Sequence, residues 1–179
     1  MQRFFVLVVF LGLVSLPMMA QDYPKALVFG GYQYLHLGGS GTDINANGWN
    51  ASLTGNFNSW FGVAADFSGA YKTINVAGAN VDAKVYSYTG GPVVSLNSAG
   101  KVNPFVHALF GGAHLSGSVS GLGSGSTNGF TMMFGGGADV KLNQILAVRL
   151  VQADWVYYRF SGNSESHNVR VSTGIVLRF

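Results

Sequence analysis

The stretch that decides the fold is residues 168–179, NVRVSTGIVLRF. Every second position from Val169 to Phe179 is apolar or threonine, while Arg170 and Arg178 lie on the alternate face. A period of two predicts a β-strand. The run is longer than the roughly 5 to 6 residues of an ordinary soluble strand, and it suits the roughly 9 to 11 residues of a tilted strand that crosses a membrane.

A strand in lipid cannot leave its backbone edge unpaired, because no water is present to satisfy the free N–H and C=O groups. We therefore expect residues 168–179 to close a barrel, with the apolar stripe facing lipid and the arginines facing a polar lumen. The alternative is a secreted soluble barrel of the lipocalin kind, in which the same alternation is inverted. The polar faces carry few charges and would make a poor water-facing surface, which favours the membrane barrel.

The composition supports a membrane protein. Charged residues make up 9% of the chain, against about 25% in average soluble proteins, while aromatic residues reach 13%. The net charge is +3 and the basic residues are scattered singly, so no nucleic-acid partner is expected. The chain has no cysteine, which excludes disulfides and a lipid-anchored leader.

Residues 1–20 have the pattern of a secretory signal peptide, with Arg3 followed by an apolar run and a small residue at Ala20. The alternative is an uncleaved anchor, but the apolar run is shorter than the roughly 20 residues that a spanning helix needs. Met18 is large for the position three residues before a cut at Ala20, so the exact cleavage site stays open. We expect a cleaved leader and a barrel domain over residues 21–179.

Seven further segments alternate like the closing strand. They lie at residues 25–36, 49–57, 61–71, 83–96, 106–113, 130–142 and 145–160. The connections between them are alternately long and short. The long ones are residues 37–48, 72–82, 115–129 and 161–166, and the short ones are 58–59, 97–102 and 143–144. This asymmetry is typical of outer-membrane barrels, so the predicted fold is all-β, an eight-stranded antiparallel up-and-down transmembrane β-barrel.

Two strands contain irregularities. Pro92 cannot donate to a ladder and therefore predicts a local break or bulge. In the seventh strand, Arg149 has the opposite parity to Gln152 and Asp154. A bulge near Leu150 or Val151 would turn all three inward, because a bulge shifts the alternation by one residue. The alternative is that one of these polar groups faces outward near the lipid headgroups.

Several features of the chain carry a family resemblance: Gly31 with Tyr32, Gly91 with Pro92, the segments 49–57 and 135–139, and the closing segment. Across essentially all of the chain after the leader, they resemble the OmpA-like family of small outer-membrane β-barrel domains. The resemblance implies the outer membrane of a Gram-negative-type bacterium, with outer-membrane lipids as surroundings. Larger members continue into a periplasmic peptidoglycan-binding domain, whereas this chain stops at the barrel, so no cell-wall tether is expected.

The resemblance also implies a partner. In this family, a terminal phenylalanine preceded by alternating apolar residues resembles the signal read by the barrel assembly machinery. That role carries over to Ile175, Leu177 and Phe179 in this chain.

The inner face is expected to hold a polar network. Its charged members are Asp66, His107, Asp139, Lys141, Arg149, Asp154, Arg170 and Arg178. An eight-stranded barrel is just wide enough for side chains to fill, and buried charges must pair because an unpaired one costs several kcal/mol. The nearly balanced set favours a plugged lumen. The alternative is a narrow pore or small-ligand conduit.

The candidates for chemistry are weak. His114 and Ser116 lie two apart on one face, a spacing that superficially resembles the active site of lipid A deacylase barrels. A serine hydrolase also needs an acid to orient its histidine, and the nearest candidate, Glu165, lies on another predicted loop. His36 and His167 near the rim do not make a metal site. We predict no catalytic residue, metal or cofactor.

The predicted function is that of an integral outer-membrane barrel with a structural or surface-interaction role, acting as a monomer and not as an enzyme. Recognition is expected on the long loops, because loops on a rigid scaffold carry most binding residues. The sequence names no extracellular ligand. A narrow conduit is the first rival, and a lipid A-modifying hydrolase is the second.

Overall fold

The computed structural model describes residues 23–38, 44–76, 79–96, 100–119, 123–160 and 163–179. These residues form eight strands. They are β1 (Ala26–Gly38), β2 (Ile44–Asn56), β3 (Phe61–Val76), β4 (Ala79–Ser95), β5 (Val102–Val119), β6 (Gly123–Lys141), β7 (Leu146–Phe160) and β8 (Asn163–Arg178). Each strand pairs antiparallel with its neighbour in sequence, and β8 returns to pair with β1. The predicted closed eight-stranded barrel is confirmed. The predicted signal peptide lies outside the described residues.

The two faces of the barrel have the predicted polarity. On β8, Val169 and Ile175 are 43% and 55% exposed, whereas Arg170 between them is 1% exposed. The same division holds around the barrel, since apolar side chains cover the outside and the polar alternates are buried. The inverted, lipocalin-like arrangement is therefore wrong. Within the described ranges, no helix is long and apolar enough to cross a membrane.

Two of the short turns are built in the same way. The Asn58 side chain accepts hydrogen bonds from the backbone N–H groups of Trp60 (3.0 Å) and Phe61 (2.7 Å). Asn143 accepts from the corresponding groups of Ile145 (2.9 Å) and Leu146 (2.7 Å). An asparagine side chain that bonds to the backbone two or three residues ahead holds a tight turn. Both turns lie where the sequence predicts them.

The seam between β1 and β8 depends on a close backbone approach. Gly31 lies directly opposite Gly174. A Cβ atom on Gly31 would collide with the Thr173 carbonyl oxygen, and one on Gly174 would collide with the Gly30 carbonyl oxygen. Only glycine on both strands lets the sheet curve this tightly where the barrel closes.

The bulge predicted in β7 is present. Arg149 pairs with Gly174 and Gln152 with Ser172, so two residues, Leu150 and Val151, oppose one on β8. Both of these residues point outward, and the polar residues on either side of them are buried. At Pro92 the pairing of β4 with β5 is interrupted, but the register is the same before and after, so this is a break without a bulge.

The long connections are shorter than predicted, because the strands continue through much of residues 37–48, 72–82, 115–129 and 161–166. The β3–β4 hairpin reaches Val76 and Ala79, and the β5–β6 hairpin reaches Val119 and Gly123. The described end of the β5–β6 hairpin consists mainly of glycine and serine. A strand that meets the same medium on both sides shows no apolar alternation, which is why sequence patterning misses it.

The extended hairpins form a surface that we call the crown: residues 72–76, 79–83, 114–119 and 123–128. Inside the crown, β3 pairs with β4, β4 with β5 and β5 with β6. Among the residues that the structure describes, pairing of β2 with β3 ends at Tyr71 and pairing of β6 with β7 ends at Gly129. The crown is therefore a four-stranded sheet that continues beyond the closed barrel.

Candidate functional site

The lumen is organised around Arg170 of β8. Its Nη1 donates to Asp66 Oδ1 on β3 at 2.7 Å, and its Nε donates to Asp154 Oδ2 on β7 at 2.8 Å. All three side chains are buried. The other oxygen of Asp66 accepts from the Asn50 amide at 2.9 Å. One cation from the closing strand thus binds two carboxylates and reaches across the inside of the barrel.

Asp154 collects further partners. Its Oδ2 accepts from Gln152 Nε2 at 2.8 Å, and its Oδ1 lies 2.8 Å from His107 Nε2. His107 comes from β5 and its side chain is buried. The carboxylate of Asp154 therefore ties β5, β7 and β8 together.

A second arginine forms the next layer towards the short turns. Arg149 donates to both oxygens of Asp139, through Nε at 2.8 Å and Nη2 at 3.1 Å, and its Nη1 donates to Gln152 Oε1 at 2.7 Å. Its guanidinium also lies over the rings of Phe29 (4.4 Å) and Phe105 (4.2 Å). Such a cation between two aromatic faces is held on both sides by the ring quadrupoles. The sequence-based prediction of the network includes neither phenylalanine.

These contacts make one continuous chain from Asp139 through Arg149, Gln152, Asp154, Arg170 and Asp66 to Asn50. With His107 bound to Asp154, the structure brings together six of the eight predicted network residues. The remaining two, Lys141 and Arg178, lie on the same inner face at the short-turn mouth, where both are half-buried.

A small cavity lies beside this chain. Its volume is about 30 Å³, and its polar wall includes Thr54, Asn56, Ser95, Asn103 and Arg178. The side-chain oxygens of Asn56 and Asn103 are buried and accept no hydrogen bond from the described part of the chain. A polar space of this size holds about one or two water molecules.

An apolar cluster packs inside the lumen beside the charged chain. Its buried members are Ala64, Val85, Val93, Phe105, Leu109, Ala113, Met133, Val156 and Tyr158, with Leu37, Leu115 and Phe160 packed against them. Leu37, Leu115 and Phe160 lie towards the long-hairpin end. Leu35, Ala46 and Ala70 make a second cluster near the same end. Towards the long-hairpin end, apolar side chains from both clusters therefore line much of the lumen.

The predicted rim residues are held in separate hydrogen bonds. His114 Nδ1 lies 2.7 Å from Asn128 Oδ1, and His36 Nδ1 lies 2.7 Å from Asn45 Oδ1. Glu165 is on β8, three strands away from His114 and Ser116 on β5. The geometry does not assemble a nucleophile, base and acid from these residues. No group of three or more potential metal ligands occurs within the described ranges.

The proposed assembly signal lies on the outside of β8. Ile175, Leu177 and Phe179 are all exposed on the face that carries the apolar stripe. Phe179 also closes the seam, since its N–H donates to the Ala26 carbonyl (2.9 Å) and its carbonyl accepts from the Ala26 N–H (3.0 Å). Its role in assembly stays a prediction.

A comparison with protein families finds one matching model, described as the outer membrane protein beta-barrel domain, which covers residues 6–179. No curated protein matches the chain.

Solved structures of small barrels share the fold. Ail, the attachment invasion locus protein of Yersinia pestis, is 20% identical with a TM-score of 0.64, and the match covers 88% of this chain and 99% of Ail. Neisserial surface protein A is 13% identical with a TM-score of 0.70, covering 87% and 97%. The N-terminal barrel of Pseudomonas aeruginosa OprF is 11% identical with a TM-score of 0.55, covering 88% and 99%. At these identities the likeness concerns the fold alone.

Proposed function

Since the chain belongs to the outer-membrane β-barrel domain family and resides in the outer membrane, we propose that it is a monomeric surface-interaction barrel whose lumen is closed to solutes. In this proposal the barrel is a rigid anchor and the crown is the part that meets a partner. Outer-membrane barrels carry their longer hairpins on the extracellular side, which would put the crown outside the cell.

The crown is the observation that carries the proposal. It extends beyond the closed ring, so its outer strands have one edge without a neighbouring strand among the described residues, as at Gly123 to Ser126 on β6. This edge is exposed and carries only glycine and serine. Native proteins usually protect such edges with charges, prolines or bulges. An open, uncharged edge suits a partner that adds an extended strand through main-chain hydrogen bonds.

The charge of this region argues against a polyanionic ligand. The described outer residues include the basic Lys72, Lys84 and Arg159 against the acidic Asp82 and Glu165, a nearly neutral set. Ail has been solved in complex with the heparin analogue sucrose octasulfate. That ligand does not carry over to this chain, because a sulfated ligand would need a denser basic patch. Backbone and neutral polar recognition suits the crown better.

The side chains inside the lumen support the proposal that it is closed to solutes. Arg170 crosses it with a short hydrogen bond to Asp66, the Arg149 guanidinium lies between the rings of Phe29 and Phe105, and apolar side chains line it towards the crown. An eight-stranded barrel leaves an interior only just wide enough for its side chains. A narrow apolar section also excludes water by dewetting. The cavity beside the network is too small for more than about one or two waters. A conduit would require the ion pairs to separate.

The lipid-modifying hydrolase is the less favoured rival. It needs an acid near His114, and the contact made there is to the Asn128 amide. An amide can orient a histidine but cannot stabilise the positive charge that forms during catalysis as a carboxylate does.

Shortening the crown tests the interaction role. Replacing residues 116–126 by Asn-Gly gives a two-residue hairpin that ends the β5–β6 pair at Leu115 and Thr127. Cells displaying the intact barrel should adhere to cultured epithelial monolayers or immobilised matrix proteins, and the shortened variant should fall to the level of cells without the protein. The matched control, Ser124→Ala with Ser126→Ala, keeps the edge and should adhere normally. Equal adherence of the shortened and intact barrels would contradict the proposal.

Planar-bilayer recording of the refolded barrel tests the closed lumen. We expect no stable channels. Reproducible channels that change when Asp66 or Arg170 is neutralised would favour the conduit instead.

A further inference from the structure

Two cationic side chains, Lys141 of β6 and Arg178 of β8, lie at the short-turn mouth of the lumen. Lys141 pairs with Ala147, which in turn pairs with Val176. Arg178 is two residues beyond Val176 and therefore on the same inner face. Both cationic side chains are half-buried, so their charges are partly removed from bulk water and act on each other. Two like charges in this position favour an anion beside them.

Arg178 differs from the two arginines deeper in the lumen. Unlike Arg149 and Arg170, it makes no side-chain hydrogen bond or ion pair with any residue that the structure describes. Asp139 lies near enough for its charge to act on Arg178, but both oxygens of that carboxylate already accept hydrogen bonds from Arg149, at 2.8 and 3.1 Å. A guanidinium presents a planar fork of N–H donors. Those of Arg178 are therefore available to a ligand that enters the mouth.

Arg178 also lines the small cavity beside the charged chain, together with Asn56 and Asn103. These two asparagines are 6% and 5% exposed, and their side-chain oxygens have no hydrogen-bond partner within the described ranges. Buried polar atoms without a partner are rare in folded proteins. The cavity has room for about one or two waters, which is the space that a carboxylate group needs, whereas a phosphate group with its additional oxygens is too large. A carboxylate with a neighbouring N–H group would give Arg178 an anion and an asparagine oxygen a donor.

The charged side chains around this mouth would attract such a ligand. Apart from the bonded pair of Asp139 and Arg149, those that the structure describes at the short-turn end are all basic: Lys25, Lys101, Lys141 and Arg178. The opposite end carries a nearly neutral set, as described above. A surface with charges of one sign raises the local concentration of solutes of the other sign. In the orientation that puts the crown outside the cell, the short-turn mouth faces the periplasm.

We propose that the short-turn mouth binds the C-terminal carboxylate of a periplasmic peptide. The Arg178 fork donates to both carboxylate oxygens, the geometry in which arginine binds carboxylates most strongly. The last amide N–H of the peptide donates to the Asn103 side-chain oxygen. The rest of the peptide stays outside the lumen, near Lys25 and Lys101. This site requires neither the crown nor a path through the barrel, so it can fail or hold independently of the proposed function.

Nitrogen-15 NMR of the barrel refolded in neutral detergent micelles tests the proposal. The barrel is titrated at constant ionic strength with acetyl-Ala-Ala-Ala as the free acid, with the same peptide as its C-terminal amide, and with inorganic phosphate. The signals followed are the Arg178 Nε–H and the Asn103 side-chain amide. We expect both signals to shift and saturate with the free acid, and to shift little with the amide or with phosphate.

Three variants locate the binding group, with the Asn103 amide as the signal. Arg178→Gln should raise the Kd of the free acid about tenfold, the effect of losing a hydrogen bond to a charged group. Arg178→Lys keeps the charge but not the fork, so it should raise the Kd less, about threefold. Arg159→Gln, which removes an exposed arginine at the opposite end, is the matched control and should leave the Kd unchanged. Circular dichroism and the heat-dependent gel shift verify that each variant is folded.

The same titrations can overturn the proposal. Equal Kd values for the free acid and the amide would show that the carboxylate is not bound, and equal values for Arg178→Gln and its parent would show that Arg178 does not bind it. Binding of phosphate tighter than that of the peptide would overturn the choice of a carboxylate. Phosphatidylglycerol added to the micelles is the last comparison, because a lipid that shifts both signals as far as the peptide does would assign the mouth to a lipid headgroup instead.

Discussion

Removing Arg170 should be among the most destabilising single changes in this barrel. In Arg170→Met, the side chain still fills much of the space, but Asp66 and Asp154 lose the guanidinium that contacts both of them at 2.7 to 2.8 Å. Breaking one buried ion pair costs about 3–5 kcal/mol, because a charge is left without compensation. Here one cation serves two carboxylates, so we expect the upper part of that range, about 4–5 kcal/mol.

The free energy of unfolding can be measured by urea titration of the barrel refolded in phosphatidylcholine vesicles, with tryptophan fluorescence as the signal. At a slope of about 2 kcal/mol per molar urea, the expected loss moves the midpoint by about 2 M. The matched control is Arg159→Met on the same strand as Asp154. Arg159 is exposed, so its removal should change the free energy by no more than about 0.5 kcal/mol.

A triple variant separates lost charge compensation from lost packing. Arg170→Met combined with Asp66→Asn and Asp154→Asn has no uncompensated charge at the centre, so it should recover most of the stability that Arg170→Met loses. A loss of less than about 1 kcal/mol in the single variant would refute the reasoning. A triple variant as unstable as the single one would refute it too, because packing would then account for the whole loss.

Three further outcomes are expected. Gly135→Ala should destabilise the barrel by about 2 kcal/mol, because its Cβ would collide with the Asp154 carboxylate and the Ala153 carbonyl. The control Gly30→Ala, whose Cβ would have nothing within 4 Å, should stay within about 1 kcal/mol of wild type. Urea titration measures both free energies of unfolding, and equal effects of the two variants would contradict this prediction. Deleting Phe179 should lower the amount of assembled barrel in the outer membrane, measured by immunoblot of membrane fractions, and unchanged levels would contradict an assembly role. The mature protein should fractionate with the outer membrane and migrate differently on gels before and after heating, so recovery from the soluble periplasm without detergent would oppose this.

The sequence predicts those parts of the barrel whose two faces meet different media. From Trp49 to Phe57 the apolar and polar residues alternate without error, and β2 covers all but the last of these residues. The β7 bulge could also be predicted, because Arg149 and Gln152 both have to reach the polar interior and only an extra residue allows it. In each case the sequence is predictive because one face of the strand meets lipid and the other meets the polar lumen, so the two faces need different residue types.

The β5–β6 part of the crown could not be predicted, because both faces of its strands meet the same medium and its glycine- and serine-rich sequence is typical of a loop. In the β3–β4 part, Ile74, Val76 and Val81 do alternate with polar residues, although the segment is predicted to be a connection.

The partners in the lumen were also beyond the sequence. Arg170 and Asp66 are 104 residues apart, and which cation meets which carboxylate depends on the stagger of strands around the closed ring. The alternation along a strand assigns a side chain to the inside of the barrel, but it does not give the position of that side chain along the barrel axis. For the same reason, the positions of Phe29 and Phe105 on either side of Arg149 emerge only from the folded barrel.

The contacts that cross the lumen set the order of events during assembly. Arg149 on β7 lies between a ring from β1 and a ring from β5, and Arg170 on β8 reaches β3. A partly inserted, open sheet cannot make these contacts, so Arg170 and Asp66 must keep their hydration water until the first and last strands meet. Pairing of β1 with β8 and dehydration of the site around Arg170 are therefore one step. A barrel held open at the seam stays wet around Asp66 and Asp154, because these two carboxylates gain Arg170 only when the final strand arrives.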